Sequence, residues 1–406
     1  MKPTNVIKWK IVHTLKPRWF EYGVYIHSLP FNAMSAYAGY VFTHDLYTTI
    51  VAAFAPQITE YCFFRMIESG IIGPKVNDEN VLKKEFNKTP KALLLKSRFK
   101  DKLYDSLYKA ITFIENQQQK DGSWRDFYSK YHGQSVDWVT AYVSNRLIET
   151  GVAPRHLKKT AKFLVNRQKN GGWGYNEIAQ QDADSTANVL EFLSNYKNAY
   201  KNEINDGLQF LLSHQTENGG FKTYIENNLR KSERFSGEIS LDGWCSECID
   251  VTINAINTLD KFEEYDLSKV KAEKYLEDKV KENDIHSYWW ESDIPMKIGA
   301  IKSDTGKIIE LYEMQDNNMS HYIRAMFLSA LDDSNIKLRK NLAEKLIYSQ
   351  RQDGSWESGA ILRFPHPSNE EPWNNDLMWR DPGKDQNRIY TTATIMATLS
   401  LYGRYL

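Results

Sequence analysis

The sequence predicts an all-α fold in which one ring of helices encloses another. Two observations carry this expectation. A short grammar of apolar pair, Gln, Gly and aromatic residue recurs along the chain, and each copy is followed by a helix more apolar than the one before it. A helix with a single apolar stripe lies at a surface, whereas one that is apolar all round is buried, so the two kinds belong to different layers.

The copies are plain once aligned. Phe113-Ile114 leads to Gln117 or Gln118 and then Asp121-Gly122-Ser123-Trp124. Phe163-Leu164 leads to Gln168 and Gly171-Gly172-Trp173, and Phe210-Leu211 to Gln215 and Gly219-Gly220-Phe221. The last copy has Leu346-Ile347, Gln350 and Gly354-Ser355-Trp356; a decayed one, from Tyr275-Leu276 to Trp289-Trp290, lacks the Gln. The aromatic anchors lie about 50 residues apart early and about 66 later, the period of an array of helical hairpins.

Each copy ends an amphipathic helix on a Gly turn. Over residues 155–168, Leu157, Ala161, Leu164 and Val165 share one face, while Lys158, Lys159, Lys162 and Arg167 take the other. The apolar helices run over Asp137–Gly151, Asp184–Tyr196, Cys248–Leu259, Met319–Leu331 and Tyr390–Tyr402, and residues 391–402 carry no charge. A further one opened by Asp45 brings the inner set to six.

The 406 residues suffice for a large core, and the repeats favour a single domain over 1–406. Lys plus Arg equals Asp plus Glu at 52 each, so no net charge points to nucleic acid. Cys62, Cys245 and Cys248 cannot build a disulfide framework, and Met1–Lys10 is not followed by an uninterrupted apolar segment, which suits a cytoplasmic protein. The most apolar region, Tyr22 to Phe64, is broken by His27, Pro30, His44, Asp45 and Pro56; it reads as a peripheral membrane contact and not as a span. Residues 75–102 form a basic excursion, read as a solvated face. The connections 222–244, 291–318 and 357–388 are far longer than a hairpin array needs and are expected to roof the mouth as lids.

The stretch Gln181-Asp182-Ala183-Asp184-Ser185-Thr186-Ala187 opens the second of these apolar helices. Asp184 or Ser185 would cap the helix start. Two carboxylates with a Ser-Thr pair exceed what capping needs, and crowded carboxyls are a means of keeping one protonated. From the residues alone both readings stand. If outer and inner helices alternate up and down, every inner helix presents its free N–H groups and positive dipole end to the same mouth.

The recurring Gln and aromatic residues resemble the QW motif of terpene cyclases, and Asp182-Ala183-Asp184-Ser185-Thr186-Ala187 resembles the DxDDTA motif of squalene-hopene cyclases and related class II terpene cyclases. Asp250-Val251-Thr252 through Asn254 to Leu259 looks like that family's D-V-T-A-H-V-L-E-A-L segment. Glu247-Cys248 is similar to an E-C pair of oxidosqualene cyclases, in which the Cys supports the catalytic Asp.

The resemblance implies an α6/α6 toroid, a barrel of helical hairpins like those of terpenoid cyclases and prenyltransferases. It implies that Asp184 donates a proton to an alkene of a linear isoprenoid, with Asp182 beside it, Asp250 in their hydrogen-bond network and Asn254 in the place of a polarising His. Ser185 and Asn254 depart from the family pattern. No cofactor or metal is called for. The cation so formed needs aromatic faces around it, and Trp138, Tyr142, Trp244, Trp289, Trp290 and Tyr390 are the candidate walls. The large cyclases enclose their cavity between two helical domains, and the sequence outside the matched barrel is too short for a second one; a small substrate, a partner or covering loops are expected instead.

Two other readings remain. A retired cyclase would keep the toroid to bind a lipid, peptide or protein. Zinc-dependent prenyltransferase β-subunits share the toroid, and Asp242, Cys245, Cys248 and His321 would be the ligands, although the Asp and Cys stand one residue too far apart for that family's pattern.

Overall fold

In the structure, a computed structural model, the amphipathic and apolar helices alternate along the chain and sort into two layers. It describes residues 91–129, 133–231, 237–301, 304–315, 318–375 and 377–404. The helix expected from Asp45, the apolar region Tyr22–Phe64 and most of the basic excursion 75–102 lie outside the described residues. The described residues from Lys102 onward form one compact unit, and Lys91–Asp101 fall in a second.

Among the described residues, twelve helices have eight residues or more. The outer ones are α1 (Lys91–Gln117), α3 (Lys158–Val165), α5 (Lys201–Leu212), α7 (Asp266–Lys281), α9 (Thr305–Glu313) and α11 (Ile336–Tyr348). The inner ones are α2 (Asp137–Glu149), α4 (Ala183–Leu193), α6 (Ile249–Leu259), α8 (Ile294–Ile301), α10 (His321–Ala330) and α12 (Ile389–Gly403). Each inner helix packs against the next, and α12 returns to α2, so the ring closes. The apolar α12 is buried along nearly its whole length, as its lack of charge requires.

One inner place is filled by α8, from the stretch 291–318 that was expected to be a lid. This stretch is a helical hairpin: Pro295 sits in the first turn of α8, where its missing N–H costs nothing. Asp304 caps α9 by accepting from the Lys307 N–H at 3.1 Å. The hairpin also accounts for the long spacing between the last two aromatic anchors.

The repeated residues brace the ring. Trp124, Trp173 and Trp356 are fully buried and donate their indole N–H to the Ile114, Leu164 and Leu346 carbonyls of the preceding outer helix, at 2.7 to 2.9 Å. Gln168 donates to the Gly171 carbonyl of its own turn and to the Glu203 carbonyl of the next outer helix, and Gln215 does the same with Gly219 and Ser268. Gln118, not Gln117, plays this part in the first copy, reaching Gly122 and the Thr160 hydroxyl. Gln350 meets the Gly354 carbonyl and the Ser106 carbonyl of α1, joining the last outer helix to the first. Hydroxyls of the inner helices complete the brace: Thr140, Thr186, Thr252 and Thr392 accept the backbone N–H of Trp124, Trp173, Phe221 and Trp356.

Four two-stranded antiparallel ribbons accompany the helices, the first pairing β1 (Asp126–Ser129) with β2 (Gly133–Ser135). In β3 (Trp173–Gly174) and β4 (Gln181–Asp182), Trp173 faces Asp182. In β5 (Phe221–Lys222) and β6 (Glu247–Cys248), Phe221 faces Cys248. Each of these ribbons thus leads from a brace into the N-terminus of an inner helix. The long connection 357–388 contains β7 (Ile361–Pro365) and β8 (Met378–Lys384). No helix among the described residues is long and apolar enough to cross a membrane.

Candidate active site

Three inner helices, α2, α4 and α6, carry an aspartate in the first turn, and those of α4 and α6 line one mouth together with Asp182. Asp182 is the N-cap of α4: its Oδ1 accepts the Ser185 backbone N–H at 2.6 Å and its Oδ2 the Ser185 hydroxyl at 2.9 Å. Burial, and then the charge of Asp184, push its carboxyl well above the usual range. Capping therefore belongs to Asp182. Ser185, the residue at the departure from DxDD, is the partner that holds it.

Asp184, in the first turn of α4, is relieved of that duty. It is half-buried, and its Oδ1 accepts the Asn254 amide N–H at 2.6 Å. Burial pushes its carboxyl up to about 6; the Asn254 amide works against this shift and the Asp250 charge adds to it. Asn254 reaches across from α6, so the inner-helix pair α4–α6 positions carboxyl and amide.

Asp250 lies in the first turn of α6. Its Oδ1 accepts the Ser287 hydroxyl at 2.5 Å and its Oδ2 the Tyr288 backbone N–H at 2.6 Å. The expected hydrogen-bond network with Asp182 and Asp184 is thus corrected: segment 287–288 takes up both oxygens, and Asp250 acts on Asp184 through its charge. Burial pushes Asp250 up to about 6. Cys248 likewise does not reach the acid, since its Sγ meets the Thr223 hydroxyl at 3.5 Å.

A cavity of about 120 Å³ opens at this mouth, lined by Asp182, Asp184, Ser185 and Asp250 together with Trp138, Trp244, Trp289 and Trp290. The indole N–H of Trp244 is spent on the Pro365 carbonyl at 3.1 Å, and that of Trp289 on the Thr223 hydroxyl at 2.8 Å. The residues of the decayed repeat have lost the bracing role and turned to the cavity.

Two expected wall residues lie elsewhere. Tyr142 and Tyr390 are not among the cavity's lining residues; their rings stack at 4.0 Å, and the Tyr142 hydroxyl pairs with Thr394 at 2.7 Å. They form a floor of packed aromatics with Phe127 and Tyr322. Helix periodicity puts them on the inward face without giving their depth.

Of the long connections, 222–244 contributes Thr223, Tyr224, Leu229 and Trp244 to the wall, and 357–388 contributes Leu362, Arg363 and Phe364. The wall residues Tyr224 and Arg363 were not singled out from the sequence. The alternation Ile361-Leu362-Arg363-Phe364 carries a strand's period of two, which would have placed Leu362 and Phe364 on one face.

The candidate zinc ligands do not assemble. Asp242 is bonded to Ser240, and the His321 ring lies beside Arg324 and Ser349. Among the described residues no three His, Cys, Asp or Glu side chains gather as metal ligands.

No protein-family model matches the chain. Squalene-tetrahymanol cyclase of Tetrahymena thermophila is 24% identical over 151 residues, 34% of this chain. The chain spans about a quarter of that relative, 23% of its length. Among solved structures, a variant of the type II terpene cyclase MstE from Scytonema with geranylgeranyl dihydroxybenzoate bound as substrate has a TM-score of 0.65 and 22% identity, covering 76% of this chain and 99% of that one. A second MstE variant, bound to its product merosterolic acid A, has a TM-score of 0.65 at 23% identity, with 76% and 99% covered. A protein from Actinoplanes has a TM-score of 0.63 at 22% identity, covering 75% of this chain and 100% of that one. In fold the chain is similar to type II terpene cyclases, and over about a third of its length it is similar in sequence to a squalene-tetrahymanol cyclase.

Proposed function

We propose that the chain is a class II terpene cyclase that protonates an alkene of a linear isoprenoid with Asp184. The observation that carries this reading is the 2.6 Å contact between the Asn254 amide and Asp184 Oδ1, on the wall of a cavity bearing four indoles. With Oδ1 accepting from the amide, the proton is held on Oδ2. A carboxyl pushed up to about 6 rises further when an oily ligand displaces the remaining water, which keeps the acid neutral until it reacts.

Transfer of the proton to one alkene carbon leaves a tertiary cation on the other. Successive alkenes of the same chain attack it and close rings. Loss of a proton, or capture of water followed by loss of a proton, ends the sequence. Trp138, Trp244, Trp289, Trp290 and Tyr224 supply ring faces to the moving charge. Because Trp244 and Trp289 have their N–H groups engaged elsewhere, their orientation is fixed. Asp182 anchors the start of α4, and Asp250 holds the Ser287–Tyr288 segment that leads to Trp289 and Trp290.

The geranylgeranyl substrate of the Scytonema relative makes that chain length the first to test. Incubation with prenyl alcohols and diphosphates of several lengths should yield a cyclised hydrocarbon or alcohol, lost in Asp184→Asn. Tight binding of a prenyl chain without turnover of any would assign a binding toroid instead.

A further inference from the structure

Ser287 is fully buried and engages a different partner with each of its polar groups. Its hydroxyl donates to Asp250 Oδ1 at 2.5 Å and accepts the Trp290 N–H at 2.8 Å, its own N–H goes to Asp293 Oδ1 at 2.9 Å, and its carbonyl accepts Arg363 Nη1 at 3.1 Å. Asp293 is tied in turn to His286, whose Nδ1 lies 2.9 Å from its Oδ2, so one carboxylate closes the turn that leads into α8. With the hydroxyl oxygen occupied by Trp290, its hydrogen is left to Asp250.

Asp250 therefore receives two donors, the Ser287 hydroxyl and the Tyr288 N–H, and donors of this kind favour the ionised form of a carboxyl. Asp184 receives one, the Asn254 amide. Burial pushes both carboxyls up to about 6, so the balance between them is narrow and a single hydrogen bond decides it. Resting on the cyclase reading above, we propose that Ser287 is a positioning residue which, by holding Asp250 as the anion, keeps the proton on Asp184. The other ionisable groups that face the pair are Asp182 from α4, Cys248 from β6 and, across Ser287, Arg363 from β7 and Asp293 with His286 before α8. All of them stay in place when the Ser287 hydroxyl alone is removed.

The test reads the titration of Asp184 in the full chain in two ways. One is the pH at which kcat/KM falls with geranylgeraniol or its diphosphate as substrate. The other, which needs no turnover, is the pH above which the urea stability of each protein stops changing relative to its Asp184→Asn counterpart. Ser287→Ala lets Asp250 take up a proton, removes the charge that opposes ionisation of Asp184, and should move both values down by about one pH unit. Ser287→Cys, with a weaker donor, should move them part of the way and serves where the Ala variant does not fold. In an Asp250→Asn background, which has no charge to hold, Ser287→Ala should move neither. Unmoved values in the Ser287 variants, or a shift that persists in the Asp250→Asn background, overturn the role of Ser287 and leave the cyclase reading intact. A stability profile that shifts as expected in a protein that turns over neither substrate keeps the link from Ser287 to Asp184 and overturns the cyclase reading.

Discussion

The side-chain amide of Asn254 stands 2.6 Å from Asp184 Oδ1, linking the middle of α6 to the first turn of the neighbouring inner helix α4 through one hydrogen bond. A neutral donor favours the ionised carboxyl less than an imidazolium would, and it takes no part in titration. Asn254→Ala removes the group that holds the Asp184 pKa down, so the acid becomes weaker. The turnover number should fall roughly tenfold or more, and the pH profile should shift upward; an unchanged profile would separate Asn254 from the acid.

The pH dependence follows from the same carboxyl. In the proposed mechanism the reactive form is protonated, and burial pushes the Asp184 carboxyl up to about 6, so kcat/KM should be highest on the acid side and fall as pH rises through 6. Rates measured across pH 4.5 to 8.5, in steps of about half a unit, check this.

Stability should move in the same direction. Asp184 and Asp250 have folded values raised to about 6, so the folded state binds more protons than the unfolded chain. Their stabilising contribution is full below the unfolded value near 3.9 and is lost as pH rises through about 6. Asp184→Asn keeps an oxygen for the Asn254 amide and removes the buried charge. It should therefore stabilise the protein at pH 8 by about 1–3 kcal/mol, and by little at pH 4. Urea titrations at the two values measure the difference.

Bracing can be probed at Gly354. Its φ of +90° suits glycine, and a Cβ there would lie 2.3 Å from the Lys109 carbonyl oxygen. Gly354→Ala should cost more than about 2 kcal/mol. Gln350→Ala, which removes two hydrogen bonds to backbone carbonyls, should cost about 1–3 kcal/mol. Thermal unfolding ranks the two.

Trp289 offers a test of the wall. Its N–H bond to the Thr223 hydroxyl fixes the ring, so Trp289→Phe keeps an aromatic face and Trp289→Leu does not. The Leu variant should release less fully cyclised product, with ring closure stopping early, while the Phe variant retains the main product; chromatography of the products distinguishes them.

Much of this molecule could be read from its residues because the repeat has a chemical job. Gln118, Gln168, Gln215 and Gln350 each satisfy two groups, one in their own turn and one on the next outer helix. That requirement leaves a mark at fixed spacing. The hairpin α8–α9 has no such Gln and no indole brace, so its helices were mistaken for a lid. At the mouth, Asp182, Asp184 and Asn254 were legible because they belong to helix starts and to one helical turn. Arg363 and Tyr224 were not, since their positions depend on how the long connections fold over the ring.

The clasp between Gln350 and Ser106 gives the toroid the mechanics of a hoop. An open array of repeats can fray inward from either end, losing one unit after another. Here the final unit leans on the first, so the tension released by parting any one joint is felt at all the others, and the toroid should come apart in one step.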